Sequence, residues 1–279
     1  MRRLDRRALF ASGAAAALLA ATGLSAQAGP RTGGALRIAV PREGDALGVI
    51  ARRALFESLT EIGPDGALRG ELATAWKSNA EARIWTFDLK EGVRFHDGAL
   101  LKIADVISAL SQLPNLASAR AVTERCLRLE MTRATPDLPL LLAGDSYLVV
   151  PVGSGDLTLD NAIGTGCYRA VSARADRYFR ATRVADHHRQ GHAGWADAVE
   201  IIVIPDPAVR AEALYDGFVG ISVLPQTDAV MARGGYHCHP SAADMQIAFT
   251  PQIAHPAAIS KSAGLGDLRI AERWWLSQA

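Results

Sequence analysis

The pattern of hydrophobic and polar positions is most regular between residues 85 and 110. Apolar and polar residues alternate over residues 85–89, and a period of two predicts a half-buried strand. The Asp97-Gly98 pair predicts a tight turn, since both residues tolerate positive φ. The apolar positions of residues 102–110 then follow the spacing of one helical face, which predicts a helix. The alternating apolar residues are Trp85, Phe87 and Leu89, and the helical face consists of Ile103, Val106, Ile107 and Leu110.

Other apolar runs along the chain predict further strands and helices. A strand is predicted at residues 35–40 and a helix at residues 49–59. A second helix is predicted from Pro205 to residue 215, with Pro207 in its first turn, where the missing N–H costs little. Later strands are predicted at residues 122–131, 147–152, 178–182, 195–204, 221–224 and 245–249.

The N-terminal residues have the pattern of an export signal. A start that contains four arginines is followed by an Ala-rich apolar run over residues 11–24 and a small-x-small site at residues 26–28. This predicts a signal peptide over residues 1–28, and Arg6-Arg7 resembles the twin-arginine type. The alternative is an ordinary Sec signal with additional arginines. The run is too short for a membrane span, so we expect a periplasmic protein with no membrane span in its mature form.

The net charge of the mature chain argues against one class of partner. Removal of residues 1–28 takes four arginines and one aspartate from 30 basic and 29 acidic residues. The remaining 26 basic and 28 acidic residues give a formal charge of −2. Such a balance does not favour nucleic acid as a partner.

Three cysteines leave two arrangements open. An exported chain can carry one disulfide and one free thiol, or its thiols can be buried and unpaired. The cysteines are Cys126, Cys167 and Cys238.

Two stretches of the chain resemble one protein family. Residues 85–98 read W-T-F-D-L-K-E-G-V-R-F-H-D-G, and A-D-V follows at residues 104–106. This resembles the segment of family 5 extracellular solute-binding proteins that reads roughly W-T-F-x-L-R-x-G-V-x-F-H-D-G and then A-x-D-V. Residues 163–168, I-G-T-G-C-Y, resemble the I-G-T-G-P-Y of the same family, with Cys167 in place of proline. The motif residues are Trp85, Phe87, Phe95, His96, Asp97, Gly98, Asp105, Gly164, Gly166 and Tyr168.

The resemblance implies a fold and a domain organisation. Members of this family are dipeptide-, oligopeptide- and nickel-binding receptors of ABC importers, and they fold as two-lobed clamps. We therefore expect an α/β periplasmic-binding-protein-like lobe with a mixed sheet over residues 29–264. The remaining residues 265–279 resemble only the opening of a second lobe, which implies a short helix and a second lobe that is largely absent.

A structural role is expected for most of the motif residues. Asp97, or the residues after it, can cap the predicted helix, and His96 can bond to the backbone of its turn. Gly164 and Gly166 permit sharp backbone turns that a side chain would block. A Gly-Thr-Gly segment can also cradle an anion, but a strand pattern follows here, which favours the structural interpretation.

Two sets of residues are candidates for binding. The loop after the first strand leaves near the cleft in the family, which makes Arg42, Glu43 and Asp45 candidate ligand contacts. A metal site is the second candidate, because imidazole suits nickel, copper and zinc. Its candidate ligands are His187 and His188 in one loop, and His237 and His239 on one face of a predicted strand. The alternative is that these are exposed loop histidines and the polar positions of a strand.

Together these features predict a binding protein. Neither G-x-S-x-G, H-E-x-x-H nor C-x-x-C occurs, so no enzyme activity and no cofactor are expected. The resemblance implies that the chain binds a peptide-like or other small solute and delivers it to an ABC permease. Two alternatives stay open: an interaction module built on one lobe, which holds another periplasmic protein, and a binder of a metal such as nickel.

Overall fold

The fold is that of a computed structural model, which we describe for part of the chain. The described residues are 32–63, 67–154, 158–174, 176–240, 245–250 and 253. The predicted signal peptide over residues 1–28 and the segment 265–279 lie outside them. Among the described residues, no helix has both the length and the apolar character needed to cross a membrane.

Strands and helices alternate along the described part of the chain. The strands are β1 (Ala35–Val40), β2 (Thr60–Ile62), β3 (Leu68–Gly70), β4 (Ala73–Ser78), β5 (Ile84–Leu89), β6 (Leu116–Ala121), β7 (Cys126–Met131), β8 (Tyr168–Arg174), β9 (Tyr178–Arg183), β10 (Ala198–Val203), β11 (Ile221–Leu224), β12 (His237–Pro240) and β13 (Gln246–Phe249). The helices are α1 (Ala46–Leu55), α2 (Ile103–Ala109), α3 (Leu138–Leu141), α4 (Pro207–Tyr215) and α5 (Asp228–Arg233). Short 3₁₀ turns lie at Glu43–Asp45 and Asp145–Tyr147.

Seven strands form one mixed sheet, in the order β12-β13-β11-β1-β10-β9-β8. β1 runs parallel to both of its neighbours, β10 and β11, while the other pairs are antiparallel. The three parallel strands therefore end at one edge of the sheet, which we call the carboxyl edge, and begin at the opposite, amino edge. The α/β class and the mixed sheet that the resemblance implied are confirmed.

Helices cover both faces of this sheet. Ile38 and Val40 of β1 pack in one core with Leu47, Ile50 and other residues of α1. Successive side chains of a strand point to opposite faces, and Ala39 accordingly packs in a second core with residues of α4. The chain therefore leaves β1 towards one face of the sheet and leaves β10 towards the other.

A four-stranded antiparallel sheet, in the order β4-β5-β7-β6, has a core of its own. Trp85, Phe87 and Leu89 of β5 are buried in it. Ile103, Val106 and Leu110 of the predicted helix pack against them, whereas Ile107 is only partly buried. The predicted strand and helix are thus core elements, but of this smaller sheet and not of the mixed sheet.

Three predicted elements differ from the structure. The helix predicted at residues 49–59 ends at Leu55, whose carbonyl accepts a hydrogen bond from Gly166 N–H at 2.9 Å, and Phe56 is extended. The strand predicted at residues 122–131 is the end of a hairpin, in which residues 122–125 turn between β6 and β7. The strand predicted at residues 147–152 begins in the 3₁₀ turn Asp145–Tyr147, ends in another turn and pairs with no described strand. A short apolar run does not by itself identify a strand.

Candidate functional site

The loops that follow β1 and β10 separate at the carboxyl edge, and we call the place between them the crevice. These loops are residues 41–45 and 204–206, and they diverge because α1 and α4 pack on opposite faces of the sheet. In open α/β sheets, ligands bind outside the carboxyl ends of the strands at such a switch of direction. The three predicted ligand contacts lie in the first of these loops.

The charged residues of the first loop are open to solvent. Arg42, Glu43 and Asp45 are all exposed. Asp45 has φ of 51° and pairs with Arg52 of α1 at 2.9 Å between Oδ2 and Nη2. Its carboxylate is therefore held over the first turn of the helix, while the Arg42 and Glu43 side chains extend from the 3₁₀ turn.

A buried arginine beneath this edge was missed by the sequence analysis. Arg210 of α4 donates from Nε to Val223 O at 2.7 Å and from Nη1 to Ile204 O and Pro205 O at 2.6 and 2.8 Å. It thus ties the ends of β10 and β11 together. Burial lowers its pKa, and the Glu43 and Asp206 carboxylates oppose this shift. Its spacing of four residues from the buried Leu214 was the available signal, because such residues share a helical face.

At the amino edge, three glutamates are buried between the two sheets. We call them the acidic cluster: Glu57 follows α1, Glu61 lies on β2, and Glu71 follows β3. Each is at most 3% exposed. Buried carboxylates are costly unless they are paired with cations or hydrogen-bond donors. Side chains from neighbouring segments must therefore supply these partners.

Arg189 supplies the main positive charge. It lies in the loop between β9 and β10, residues 184–195, which we call the His loop. Its guanidinium donates to both oxygens of Glu61, at 2.5 and 2.9 Å, and Nη1 lies 3.4 Å from Glu71 Oε1. Burial alone would lower the pKa of Arg189, but Glu61 and the other carboxylates outweigh it and raise the pKa. Arg189 therefore stays charged.

His188 pairs with Glu57, the third glutamate of the acidic cluster. Its Nε2 donates to Glu57 Oε2 at 2.8 Å. Burial raises the pKa of Glu57, but the attraction of His188 and its hydrogen bond reverse this effect and lower the pKa to about 2. Glu57 is therefore ionised at any physiological pH.

His187 is held in one tautomer. Arg189 N–H donates to its Nδ1 at 3.1 Å, so Nε2 carries the proton and donates to Thr165 O at 2.7 Å. Burial lowers the pKa of His187, although the Glu57 carboxylate acts in the opposite direction. The Nδ1 atom also lies 3.6 Å from the buried Cys167 Sγ.

The Gly-Thr-Gly segment brings Thr165 and Cys167 to this place by close packing. A Cβ on Gly164 would lie 1.9 Å from Leu55 O, and one on Gly166 would lie 2.4 Å from Ala54 O. Neither glycine has positive φ, so the sharp turn predicted for this segment is wrong. The glycines permit close approach to the end of α1, not a sharp turn.

His96 fixes the same segment from the other side. Gly164 N–H donates to its Nδ1 at 3.3 Å and its Nε2 donates to Gly166 O at 2.9 Å. The prediction that His96 bonds to the backbone of its own turn is wrong, because both ring nitrogens bond to another segment of the chain. Asp97 bonds only within its turn, to Ala99 N–H. The start of α2 is capped instead by Asp105, which accepts from Lys102 N–H at 2.8 Å.

Two cavities flank the His loop. One, of about 420 Å³, is lined by Arg94, Arg169, Asp186 and three histidines, His96, His187 and His188. The other, of about 210 Å³, is lined by Cys167, His187, Gln190 and Trp195 among others. Neither cavity is lined by Arg42, Glu43 or Asp45, which belong to the opposite edge of the sheet.

The other predicted metal ligands lie on β12. His237 and His239 both stack on the ring of Phe249, with centroids 5.4 and 5.2 Å away. The prediction that they share one strand face is confirmed. In the part of the chain that the structure describes, however, the group of three or more side chains spaced for a metal consists of Glu57, His187 and His188.

The three cysteines are free thiols, so the second of the two arrangements is the one in the structure. Cys167 is buried, while Cys126 and Cys238 are partly buried. Burial raises the pKa of the Cys167 thiol, which keeps it protonated when no ion is bound.

Curated relatives match part of the chain. The HTH-type transcriptional regulator SgrR of Salmonella typhimurium strain LT2 is 29% identical over 163 residues, which are 55% of this chain and 29% of the regulator. The regulator of the same name from Pectobacterium atrosepticum is 29% identical over 193 residues, 66% of this chain and 34% of the relative. The chain thus spans about a third of the length of these relatives.

Solved structures share the fold. The periplasmic binding protein AgaA from A. tumefacien R10, in complex with agropinic acid, has a TM-score of 0.65 and 20% identity, and the match covers 74% of this chain and 48% of AgaA. DppA from Helicobacter pylori, an ABC transporter-associated periplasmic binding protein in complex with the peptide STSA, has a TM-score of 0.66 and 19% identity, with 76% and 51% covered.

The family is established by a third comparison. Residues 67–235, more than half of the chain, match the model of the bacterial extracellular solute-binding proteins, family 5. This range contains the four-stranded sheet, the Gly-Thr-Gly segment and the His loop. On this match, and with the mixed α/β fold that the solved relatives share, the chain belongs to the family 5 bacterial extracellular solute-binding proteins.

Proposed function

We propose that this protein is the periplasmic solute-binding component of an ABC importer, and that it binds a small peptide-like solute for delivery to a permease. The observation that carries the proposal is the switch of direction at the carboxyl edge, where α1 and α4 pack on opposite faces of the sheet, on a fold shared with binding proteins. DppA, one of the solved relatives, carries a bound peptide, and AgaA carries agropinic acid.

The charges around the crevice suit a solute with both an ammonium and a carboxylate group. Glu43 and Asp45 offer acceptors for an ammonium group, and Arg42 offers donors for a carboxylate. Arg210 adds a positive charge below the crevice. A charge-assisted hydrogen bond to a desolvated group contributes about 1.5–3 kcal/mol, so each of these contacts is measurable.

Thermal-shift measurements with a panel of short peptides test the proposal. A solute that binds the folded protein raises its melting temperature, and calorimetry then gives the affinity. We expect Arg42→Ala and Asp45→Ala each to weaken binding by about tenfold or more, the effect of about 1.4 kcal/mol. The matched control is Glu81→Ala, an exposed charge in the turn before β5, which should bind as the wild type does.

N-acetylated and C-amidated versions of the same peptides identify the groups that are recognised. Weaker but measurable binding of the acetylated peptide, with equal affinities of wild type and Asp45→Ala for it, assigns the ammonium group to Asp45. If no peptide or other small solute changes the melting temperature, the proposal is wrong. Recovery of a stable periplasmic partner protein in that case would support the interaction module.

A further inference from the structure

Two histidines of the His loop and the carboxylate of Glu57 are spaced as metal ligands. Glu57, His187 and His188 each place one ligand atom within 4.8 Å of those of the other two. In a tetrahedral site with metal–ligand distances of about 2.1 Å, neighbouring ligand atoms are about 3.4 Å apart. The 2.8 Å between Glu57 Oε2 and His188 Nε2 needs to open only slightly for an ion to replace the shared proton.

Cys167 lies beside His187 but outside the group of three whose ligand atoms are within 4.8 Å of one another, so its sulfur must move towards Glu57 and His188 to join them. For a Zn–S distance of about 2.3 Å and a Zn–N distance of about 2.1 Å, tetrahedral angles place sulfur and nitrogen about 3.6 Å apart. Cys167 Sγ lies 3.6 Å from His187 Nδ1. This thiol stands where the family motif has proline, so the donor is a feature of this chain.

The orientation of His187 suits ligation through Nδ1. Its Nε2–H is donated to Thr165 O at 2.7 Å, and such a bond from the second ring nitrogen to a backbone carbonyl orients ligating histidines in metal sites. Nδ1 keeps its lone pair towards Cys167 and Arg189 N–H. Binding of an ion at Nδ1 would replace the 3.1 Å contact with that N–H.

Two buried atoms of the same group have unused bonding capacity. Glu57 Oε1 and His188 Nδ1 have no hydrogen-bond partner among the described residues, and the Glu57 side chain is 3% exposed. The nearest cation to Glu57 Oε1 is Arg189 Nη1, at 3.9 Å, and that guanidinium is engaged by Glu61. Buried polar atoms without partners are uncommon in folded proteins, and a bound ion would satisfy the carboxylate oxygen.

The charge of the cluster also favours a cation. The acidic cluster contributes three negative carboxylates, and Arg189 and the partly buried Lys90 contribute two positive charges. Burial lowers the pKa of Lys90, although the three glutamates oppose this shift. Once the proton shared by Glu57 and His188 has left, one negative charge remains. A divalent ion bound together with a Cys167 thiolate would therefore leave the cluster neutral.

An ion can reach the group from solvent on either side. His187 and His188 line the cavity of about 420 Å³, and His187 and Cys167 line the cavity of about 210 Å³. The His loop joins the end of β9 to the start of β10, so the group lies at the amino edge. The crevice lies at the other end of strands of six residues, about 20 Å away.

We propose that Glu57, His187 and His188, with Cys167 as a sulfur donor, form a binding site for one divalent transition-metal ion of the zinc or nickel class. Imidazole, carboxylate and thiolate together suit these ions. The site is separate from the solute crevice, and each can be present without the other.

Calorimetric titration of the purified, tag-free protein with zinc and nickel tests the site. We expect one ion per chain, and about 100-fold weaker binding in His187→Gln and in His188→Gln, at least as much as loss of an outer-shell partner costs. His192→Gln is the matched control, because His192 is an exposed histidine of the same loop. A second control, His237→Gln with His239→Gln, addresses the other predicted pair, and both controls should bind as the wild type does.

Two further variants keep the test independent of folding and of the sulfur donor. The double variant Glu57→Gln, His188→Gln can retain a side-chain hydrogen bond in place of the buried pair, and it should fold, as circular dichroism can verify, but lose the ion. With cobalt(II) as a probe, we expect thiolate-to-metal charge-transfer absorption in the wild type and its loss in Cys167→Ala.

Several outcomes would overturn the proposal. Absence of saturable binding contradicts it, as does binding that survives in the folded double variant or disappears with His237 and His239. Absence of the thiolate band in a protein that binds cobalt removes Cys167 from the site. None of these results bears on peptide binding at the carboxyl edge, so failure of this site and failure of the proposed function are distinguishable.

Discussion

Gly166 and Gly164 show how a single missing side chain positions the site. The carbonyls of Ala54 and Leu55 lie where a Cβ would be, and both belong to the backbone at the end of α1, which cannot turn away as a side chain can. The close approach lets Gly166 N–H reach Leu55 O and presents Thr165 O to His187. The motif glycines therefore position the Thr165 carbonyl that orients the His187 ring.

Replacement of one glycine should consequently destabilise the protein. We expect Gly166→Ala to lower the free energy of unfolding by about 3 kcal/mol, since the added methyl group meets backbone at 2.4 Å. Urea unfolding measures this. Gly48→Ala is the control: the three atoms nearest to its Cβ belong to the exposed Asp45 carboxylate, which can turn away, and alanine favours the helix by up to about 1 kcal/mol. Equal stability of the two variants would contradict the packing argument.

His96 should make stability depend on pH. Burial lowers its pKa below the ordinary value of 6.5, so the neutral form is favoured in the folded protein. As the pH falls below 6.5, the unfolded chain takes up the proton first and stability is lost until the folded pKa is passed. Above 6.5, His96 contributes no pH dependence.

The His96→Gln variant isolates this contribution. Glutamine can still donate to Gly166 O but does not titrate, so the variant should lose less stability than the wild type between neutral and mildly acidic pH. Melting temperatures measured across that range test it. Parallel curves for the two proteins would show that His96 protonates equally in the folded and unfolded states.

At the scale of elements, β5 shows why patterning predicted some segments well. Its alternation is set by one face that packs in the smaller core and another that is more exposed, so the period of two is visible in the residues themselves. The same is true of α2, whose apolar face has the helical spacing. The predictions for residues 122–131 and 147–152 differ from the structure, because the pattern does not show which strand, if any, each segment pairs with.

Trp85 tests the role of β5. Its side chain is 6% exposed and packs near Phe87, with ring centroids 6.2 Å apart. We expect Trp85→Ala to cost about 3–5 kcal/mol, which is enough to unfold a marginal domain. Asp88→Ala, an exposed position of the same strand, should change stability by less than about 0.5 kcal/mol. Denaturant unfolding of both variants makes the comparison, and equal losses would contradict the assignment of Trp85 to the core.

At the scale of the whole molecule, the acidic cluster lies where the chain passes from one core to the other. Phe56 packs in the core of the mixed sheet and Leu59 in that of the smaller sheet, and Glu57 stands between them. Arg189 reaches from the His loop of the mixed sheet to Glu61 and Glu71. The charges thus join the two halves of the described structure.

Removal of this cation should therefore affect the whole fold. Arg189→Met leaves carboxylates buried without their partner and should cost about 3–5 kcal/mol. Arg183→Ala is the control, because its pair with Asp197 is exposed and such pairs contribute less than about 1 kcal/mol. Unfolding measured by denaturant separates the two. A small effect of Arg189→Met would show that the glutamates are protonated or hydrated once the arginine is gone.

The candidate sites were predictable to different degrees. The loop with Arg42, Glu43 and Asp45 follows a strand that the pattern predicts without error, and the pair His187 and His188 is visible as two adjacent histidines. Glu57 was not predicted as their partner, because 130 residues separate it from His187 and only the packing of the two sheets brings them together. Arg210 was missed because its buried position is signalled only by its spacing from Leu214.

The sequence by itself determined the local elements and the family, since periodicity and motif spelling are properties of consecutive residues. Strand β1, the core strand β5 and the helix α4 all follow from such patterns. Only the tertiary structure decided that the described strands divide into three sheets, that Gly164 and Gly166 serve close approach, and that three glutamates share one arginine. The physical reason is that pairing, burial and charge neutralisation act between segments far apart in the chain, and these energies depend on distances that no local pattern contains.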